Sequence, residues 1–387
     1  MRSTALSALL AVRPQLQGVK SAGAALGLRQ HELLHAGPPL RDARHPPRVL
    51  ASSIVMTCLH EGWARDAPEA EAMLRAGALT LSPAQGRRCV TPLAAIVSPG
   101  MPLFEVGDAA GGLPVFAPVS TVGGVDTRMG ARDPSLLQRL QRRDAELAPA
   151  LREAIERDGP MALWPLAAQG LAAGDDLHSR TAGANTALAS LLKLRGMGAV
   201  ADDIAANPLF FLTLWMAASA LMLRAAEGGD MPSLVTRAGG NGECFAIALA
   251  GRAGQWAVCD AEPPRGALMP SIAAGTEVAA AIGDSAVIDM LGFGGQRLAH
   301  APEPLGVFRD HLPPDHAESA RRLLCAPQPV LPDAWPLGLD AARVARHQAA
   351  PWVMLARLAG DGITGFVGRG IYRPPVTLFD RALQALG

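Results

Sequence analysis

Lysine is almost absent: of the 35 basic residues only Lys20 and Lys193 are lysines, and the rest are arginines. Amine chemistry through a Schiff base therefore has two candidates, whereas planar, bidentate grips on carboxylate or phosphate are plentiful. Aromatic residues make up 4% of the chain, with a single tyrosine, and 35 basic residues balance 35 acidic ones. Such a chain has neither a field that attracts phosphate backbones or anionic lipid nor many platforms for stacking bases. No nucleic-acid and no membrane partner is expected. The five cysteines (Cys58, Cys89, Cys244, Cys259, Cys325) form no C-x-x-C pair. A disulfide framework and a thiolate metal site are thus both unsupported, and a reducing compartment is expected. No G-K-[ST] occurs, and Gly292-Phe293-Gly294-Gly295-Gln296-Arg297 has arginine where the third glycine of G-x-G-x-x-G belongs. P-loop and dinucleotide readings fail, and no cofactor is called for.

Long apolar runs are missing too. Leu209 to Leu223 is the longest, and it stops at Arg224, short of the roughly 20 residues that cross a bilayer. Asn207 can cap it and Pro208 fits its first turn, so a buried core helix is expected. Ala5 to Val12 is a weak apolar run closed by Arg13-Pro14, without a signal-peptide cleavage pattern, and reads as the first helix.

What is present is a chain of 387 residues, 49% hydrophobic, enough for more than one core. Residues 1–127 mix short helices and strand-length apolar runs. Asp66-Ala67-Pro68-Glu69 resembles a capping box opening a helix to Gly77, and Leu93 to Val97 and Leu103 to Val106 are strand candidates. In residues 128–232, Asp133-Pro134 starts a helical pattern carried by Leu136, Leu140, Leu147, Leu151 and Ile155, with Pro149 expected to kink or divide it. Ala182 to Leu194 is a further helix. In residues 233–387 strand candidates return at Phe245 to Ala250 and Trp256 to Cys259. The expected fold class is α+β, mixed α/β domains around a central helical domain.

Four polar clusters broken by Gly or Pro interrupt this apolar background: His35 to Pro39, Gly174 to Thr181, Gly240 to Glu243, and Gly283-Asp284-Ser285. Charged groups on irregular backbone are where a scaffold usually keeps its binding groups. In Asp175-Asp176-Leu177-His178-Ser179-Arg180-Thr181, Ser179 or Thr181 can cap the following helix. The backbone N–H groups of that helix start, with Arg180, can hold an anion while His178 handles a proton. Ser179-Arg180-Thr181 faintly resembles the phosphate grip of aspartate and ornithine carbamoyltransferases. Asn241-Gly242 is most simply a hairpin turn; as a site it offers free N–H groups and the carboxylate of Glu243. Gly283-Asp284-Ser285 lacks the second glycine of a nucleophile elbow. His31-Glu32-Leu33-Leu34-His35 matches the H-E-x-x-H of zinc hydrolases, but Gly37-Pro38-Pro39 follows where the helix must continue, so this remains a remote alternative and no metal is expected.

Taken in order, LLHAGPPL (Leu33 to Leu40), EGWARDAPEAEAM (Glu61 to Met73), TPLAAIVSPGMPLFEV (Thr91 to Val106), GDDLHSR (Gly174 to Arg180), FFLTLWMAA (Phe210 to Ala218), IGDSAV (Ile282 to Val287) and YRPPVTLFDRALQAL (Tyr372 to Leu386) resemble a bacterial family typified by YlbE and YahG. One branch of that family is AllG, a subunit of oxamate carbamoyltransferase in allantoin breakdown. The resemblance implies an α/β assembly with an inserted helical domain. It also implies a cytoplasmic subunit working with FdrA-like and other operon-encoded subunits to transfer a carbamoyl group between oxamate and phosphate. Gln85-Gly86-Arg87-Arg88 stands where the family carries histidines, which admits a changed substrate or a non-catalytic, ligand-binding or scaffolding subunit.

The expected ligand is a small anion such as carbamoyl phosphate or oxamate; a homo-oligomer is left open. The expected catalytic residues are His178, Asp176 and Arg180. The expected binding residues are His35, Gly37, Arg87, Arg88, Asp175, Asn241, Glu243, Gly283, Asp284 and Ser285.

Overall fold

The computed structural model describes residues 3–122, 124, 126–331 and 334–387. Its architecture is a mixed α+β fold built on two four-stranded antiparallel sheets. The first has the order β5-β4-β1-β6, with β1 Pro14–Ser21, β4 Pro102–Asp108, β5 Val115–Pro118 and β6 Met161–Ala162. The second has the order β10-β7-β8-β9, with β7 Val235–Asn241, β8 Cys244–Leu249, β9 Ala257–Asp260 and β10 Ile282–Gly283. Three two-stranded pairs complete it: β2 Glu32–His35 with β3 Thr80–Pro83 in parallel, and the antiparallel pairs β11 Leu324–Pro327 with β12 Pro336–Leu339 and β13 Val353–Leu358 with β14 Phe366–Tyr372.

The helix Phe210–Arg224 is the pillar between the sheets. Its residues from Phe210 to Leu223 are all buried, and it packs on β1, β4 and β5 of one sheet and β7 of the other. A helix that is apolar all round has to be enclosed on every side. Trp215 at its middle meets Trp164 and Phe293 edge-on, with ring centroids 5.2 and 5.4 Å apart. No single helix among the described residues is long and apolar enough to cross a membrane. The largest apolar cluster runs from Ala5 to Ala382 and draws on all three of the segments 1–127, 128–232 and 233–387. Met161 of β6 carries the helical segment into the first sheet by pairing with Leu16.

Local rules explain much of the rest. Asp66 caps the helix Ala67–Arg75 by accepting from the Glu69 N–H at 2.9 Å. The Leu136 to Ile155 pattern forms the helices Ser135–Arg142 and Ala148–Asp158, joined by a π-turn at Arg143–Leu147. Pro149 lacks the N–H that would bond back into the preceding turn, and the widened turn stands directly before it. Leu93 to Val97 is not a strand: only a single bridge links Val97 to Leu34, and Leu93 sits at φ +47°.

Candidate active site

Asp175 and Asp176 are adjacent and buried, and they organise the Gly174 to Thr181 loop in different ways. Asp176 accepts from the backbone N–H of His178 (3.2 Å), Ser179 (3.2 Å) and Arg180 (2.8 Å) and from the Ser179 hydroxyl (2.8 Å). It thereby closes the loop on itself. Asp175 accepts from the N–H groups of Gly183 (3.2 Å) and Ala184 (2.9 Å) and pairs with Arg180, so it caps the helix Ala182–Leu194 in place of Ser179 or Thr181. Thr181 instead donates to the Pro208 carbonyl. Two N–H groups expected to hold an anion are therefore occupied, and Arg180 is engaged by Asp175 and the Ala173 carbonyl. Burial raises the Asp175 carboxyl above its ordinary value, opposed by those N–H groups and Arg180.

His178 is the residue this loop presents. Its Nδ1 lies 2.8 Å from Oδ2 of Asp289, a fully buried carboxylate on the short helix Ala286–Leu291. The other Asp289 oxygen accepts from the N–H groups of Gly295 (2.8 Å) and Met354 (3.2 Å). With Oδ1 taken by two N–H donors, an ionised Asp289 accepts Nδ1–H at Oδ2 and leaves Nε2 as the imidazole's proton-accepting atom. Burial raises the Asp289 carboxyl, and His178 and the two N–H groups oppose that rise. Space for this pair comes from Gly294 at φ +54°, where a Cβ would lie 2.3 Å from the Asp289 oxygen and 2.9 Å from the His178 Cβ. The glycine run that fails as a dinucleotide fingerprint thus has a local steric task.

His178, Ser179, Arg180, Thr181 and Ser285 all line one cavity of about 330 Å³. Arg128, in the 3-10 turn Thr127–Met129, lines the same cavity and is 5% exposed. Its Nε is buried without a hydrogen-bond partner, and it forms no ion pair among the described residues. Buried guanidinium groups ordinarily have a carboxylate to offset desolvation. Arg369, from β14, reaches the Ser179 hydroxyl (3.2 Å) and pairs with Glu303. Two apolar residues hold left-handed backbone here: Leu93, which lines the cavity at φ +47°, and Leu177, which precedes His178 at φ +65°. Non-glycine strain of this kind concentrates at functional sites. Arg128, Asp289 and Arg369 were not singled out by the sequence reading.

The remaining three clusters do come together, but around Asp284 rather than around the cavity. Its Oδ1 accepts from the Gly37 N–H (2.8 Å) and Gln85 Nε2 (2.6 Å), and its Oδ2 from the Thr91 N–H (3.0 Å) and hydroxyl (3.4 Å). Burial pushes the Asp284 carboxyl up to about 7 against those donors. Gly37 packs so closely on Gly240 that a Cβ would lie 2.5 Å from its carbonyl carbon, and Gly283 at φ +123° would meet the Leu93 backbone at 2.7 Å. Asn241 buckles the same knot by donating to the Pro38 carbonyl (3.0 Å) and accepting from the N–H groups of Glu243 and Cys244. Glu243 accepts from the Arg41 N–H at 3.0 Å. The N–H groups and carboxylate expected to be free in this turn are therefore in use. Only Ser285 of the three clusters reaches the cavity wall.

His35 sits outside the cavity lining, buried at the end of β2, with Nδ1 2.8 Å from the Ala36 carbonyl, and burial lowers its pKa. Arg87 and Arg88 do not line the cavity either: Arg87 is exposed, and Arg88 donates to the carbonyls of Leu113 and Pro114. The H-E-x-x-H stretch lies along β2, with His31 at φ +67° and Glu32 paired to Arg29, so it offers no helical face to zinc.

Comparison with known proteins adds to this geometry. The family described as oxamate carbamoyltransferase subunit AllG matches residues 79–285, the span that carries Arg128, His178, Arg180 and Ser285. The chain is 27% identical to the uncharacterized protein YahG of Escherichia coli strain K12, over 98% of this chain and 84% of YahG. It is 28% identical to the oxamate carbamoyltransferase subunit AllG of the same organism, over 92% of this chain and 88% of AllG. The crystal structure of a conserved protein of unknown function from Enterococcus faecalis V583 has the same fold, with a TM-score of 0.91 at 24% identity, covering 99% of this chain and 96% of that one.

Proposed function

Starting from the chain's membership of the AllG/YahG-like family, we propose that it is a subunit of a carbamoyltransferase-type enzyme acting on a small carboxylate. It works beside FdrA-like and other co-encoded subunits in nitrogen (allantoin) catabolism, in the cytoplasm. The observation that carries this reading is the convergence, on one cavity, of the Asp289-anchored imidazole of His178 and the buried guanidinium of Arg128, whose Nε has no hydrogen-bond partner among the described residues.

Carbamoyl transfer to an amide such as oxamate forms a bond from the amide nitrogen to the carbamoyl carbon and breaks the bond from that carbon to phosphate oxygen. The nitrogen loses a proton and the phosphate leaves with the electron pair. His178 Nε2 takes the proton, and Asp289 holds the ring and offsets its developing charge. Arg128 grips the acceptor's carboxylate, the Ser285 hydroxyl donates to the developing oxyanion, and Arg180 and Arg369 favour phosphate at the wall. Positioning the two reactants in one cavity supplies the rest of the acceleration.

The test is oxalurate formation from carbamoyl phosphate and oxamate by the chain mixed with its co-encoded subunits. Product should appear with the wild-type mixture and be lost with His178→Ala or Arg128→Ala. Equal turnover by both variants would instead support a second reading, a non-catalytic ligand-binding subunit, which the predominance of apolar wall in the cavity favours.

A further inference from the structure

The cavity has two chemically different sides. Its polar groups come from Arg128, Arg180, Arg369 and Glu303, from His178 and from the hydroxyls of Ser179, Thr181 and Ser285, whereas Leu93, Leu209, Leu212, Met354, Leu355 and Phe366 provide apolar wall. These apolar residues are fixed in place: Leu212 belongs to the fully enclosed helix Phe210–Arg224, Met354 and Leu355 to β13 and Phe366 to β14. The Met354 N–H also bonds to Asp289, so the apolar wall and the imidazole anchor share one strand. A compact acid such as oxamate has polar atoms on almost every side. Enclosed here, the atoms turned toward leucine and phenylalanine would lose water without gaining a hydrogen bond. A ligand with a carboxylate at one end and hydrocarbon at the other matches both sides, and about 330 Å³ leaves room for more than a two-carbon acid.

We propose that the acceptor held in this cavity is an amphiphilic acid, with its carboxylate at Arg128 and an alkyl or aryl portion of several carbons against Leu209, Leu212, Met354 and Phe366. The inference rests on the carbamoyl-transfer reading and narrows its substrate class. The leucine held at φ +47° fits this assignment, because its unfavourable backbone keeps an apolar side chain on the cavity wall beside the Arg128 turn, whose carbonyl accepts from the Ala94 N–H.

Calorimetric titration of the intact chain with two probe series tests it: N-methyl, N-propyl and N-butyl derivatives of oxamate beside oxamate itself, and straight-chain monocarboxylates from acetate to hexanoate. At least one series should tighten by roughly fourfold for each added methylene until the cavity is filled, with oxamate or acetate the weakest member. Arg128→Gln should weaken every member of the series by a similar factor, and Leu212→Asn should flatten the chain-length gradient. The wild-type gradient needs no variant and so stands even if Leu212→Asn folds poorly. Affinity that is flat or falling in both series, or no binding by any probe, overturns the amphiphilic acceptor. Oxalurate formation with a flat gradient refutes this inference and leaves carbamoyl transfer intact. A steep gradient with no transfer to any of these acids does the reverse.

Discussion

Asp284 and Asp289 lie five residues apart, at the start of the short helix Ala286–Leu291 and within it, and both are fully buried. The protein answers their desolvation differently. Asp284 collects four donors from three distant segments, the Gly37 loop, Gln85 and Thr91, and both of its oxygens are consumed within the fold. Asp289 also fills both oxygens, but one of its donors is an imidazole on the wall of a cavity. The first arrangement ends in the protein; the second passes through His178 to whatever occupies the cavity. A satisfied buried carboxylate is thus a staple or a functional group according to what its donor touches next, and burial alone does not separate the two.

This contrast yields predictions of decreasing size. His178→Ala should lower carbamoyl transfer by about 10³-fold, within the range for general-base removal, and Asp289→Asn should lower it by a similar factor by presenting the wrong tautomer. Substrate affinity should change little in either case, which separate measurements of KM and kcat on the mixed subunits would check. Asp284→Asn should instead cost about 2–3 kcal/mol of stability, since an amide offers one acceptor and sets N–H groups against the Thr91 or Gly37 donors. Urea unfolding would measure that loss, and the activity per folded molecule should stay close to wild type.

Arg128→Met sharpens the contrast from the opposite side. Removing a buried cation that has no partner among the described residues should raise the thermal midpoint of the unliganded protein by about one degree, an increment on the order of 1 kcal/mol, whereas most core substitutions lower it. A fall in midpoint would mean that Arg128 is held by the fold.

The last prediction concerns pH. Because burial pushes the Asp284 carboxyl up to about 7, the folded state binds that proton more tightly than the unfolded chain, whose carboxylate titrates near 4. The contribution of this group therefore favours folding at pH 4 and weakens as pH rises toward about 7. Comparing urea midpoints at pH 5 and pH 8 for the wild type and Asp284→Asn should show part of the decline disappear in the variant.

The elements were legible where local rules dominate: Asp66 opens its helix, Ala182–Leu194 forms as its pattern implies, and Phe210–Arg224 is the buried core helix its composition requires. The site was legible in part. The Gly174 to Thr181 cluster and Ser285 stand out because charge and glycine interrupt an apolar chain. Asp289 did not, although it is the one charged residue within Ala286–Leu291, because its partner lies 111 residues away and no local spacing reveals that contact. Arg128 was hidden for a different reason. One arginine among dozens carries no signal until the fold shows it buried with its Nε unpaired among the described residues. The clusters at His35 to Pro39, Gly240 to Glu243 and Gly283 to Ser285 meet around Asp284 as a staple, and only Ser285 of them lines the cavity, a distinction that long-range contacts decide.

The central claim, that the cavity bounded by Arg128 and His178 holds a carboxylate, is tested most directly by titrating oxamate and N-butyloxamate into the wild-type, Arg128→Met and Asp284→Asn proteins side by side. At least one of the two acids should bind the wild type, Arg128→Met should lose tenfold or more of that affinity, and Asp284→Asn should retain it per folded molecule. Equal binding by wild type and Arg128→Met, or a loss in Asp284→Asn alone, would contradict the account.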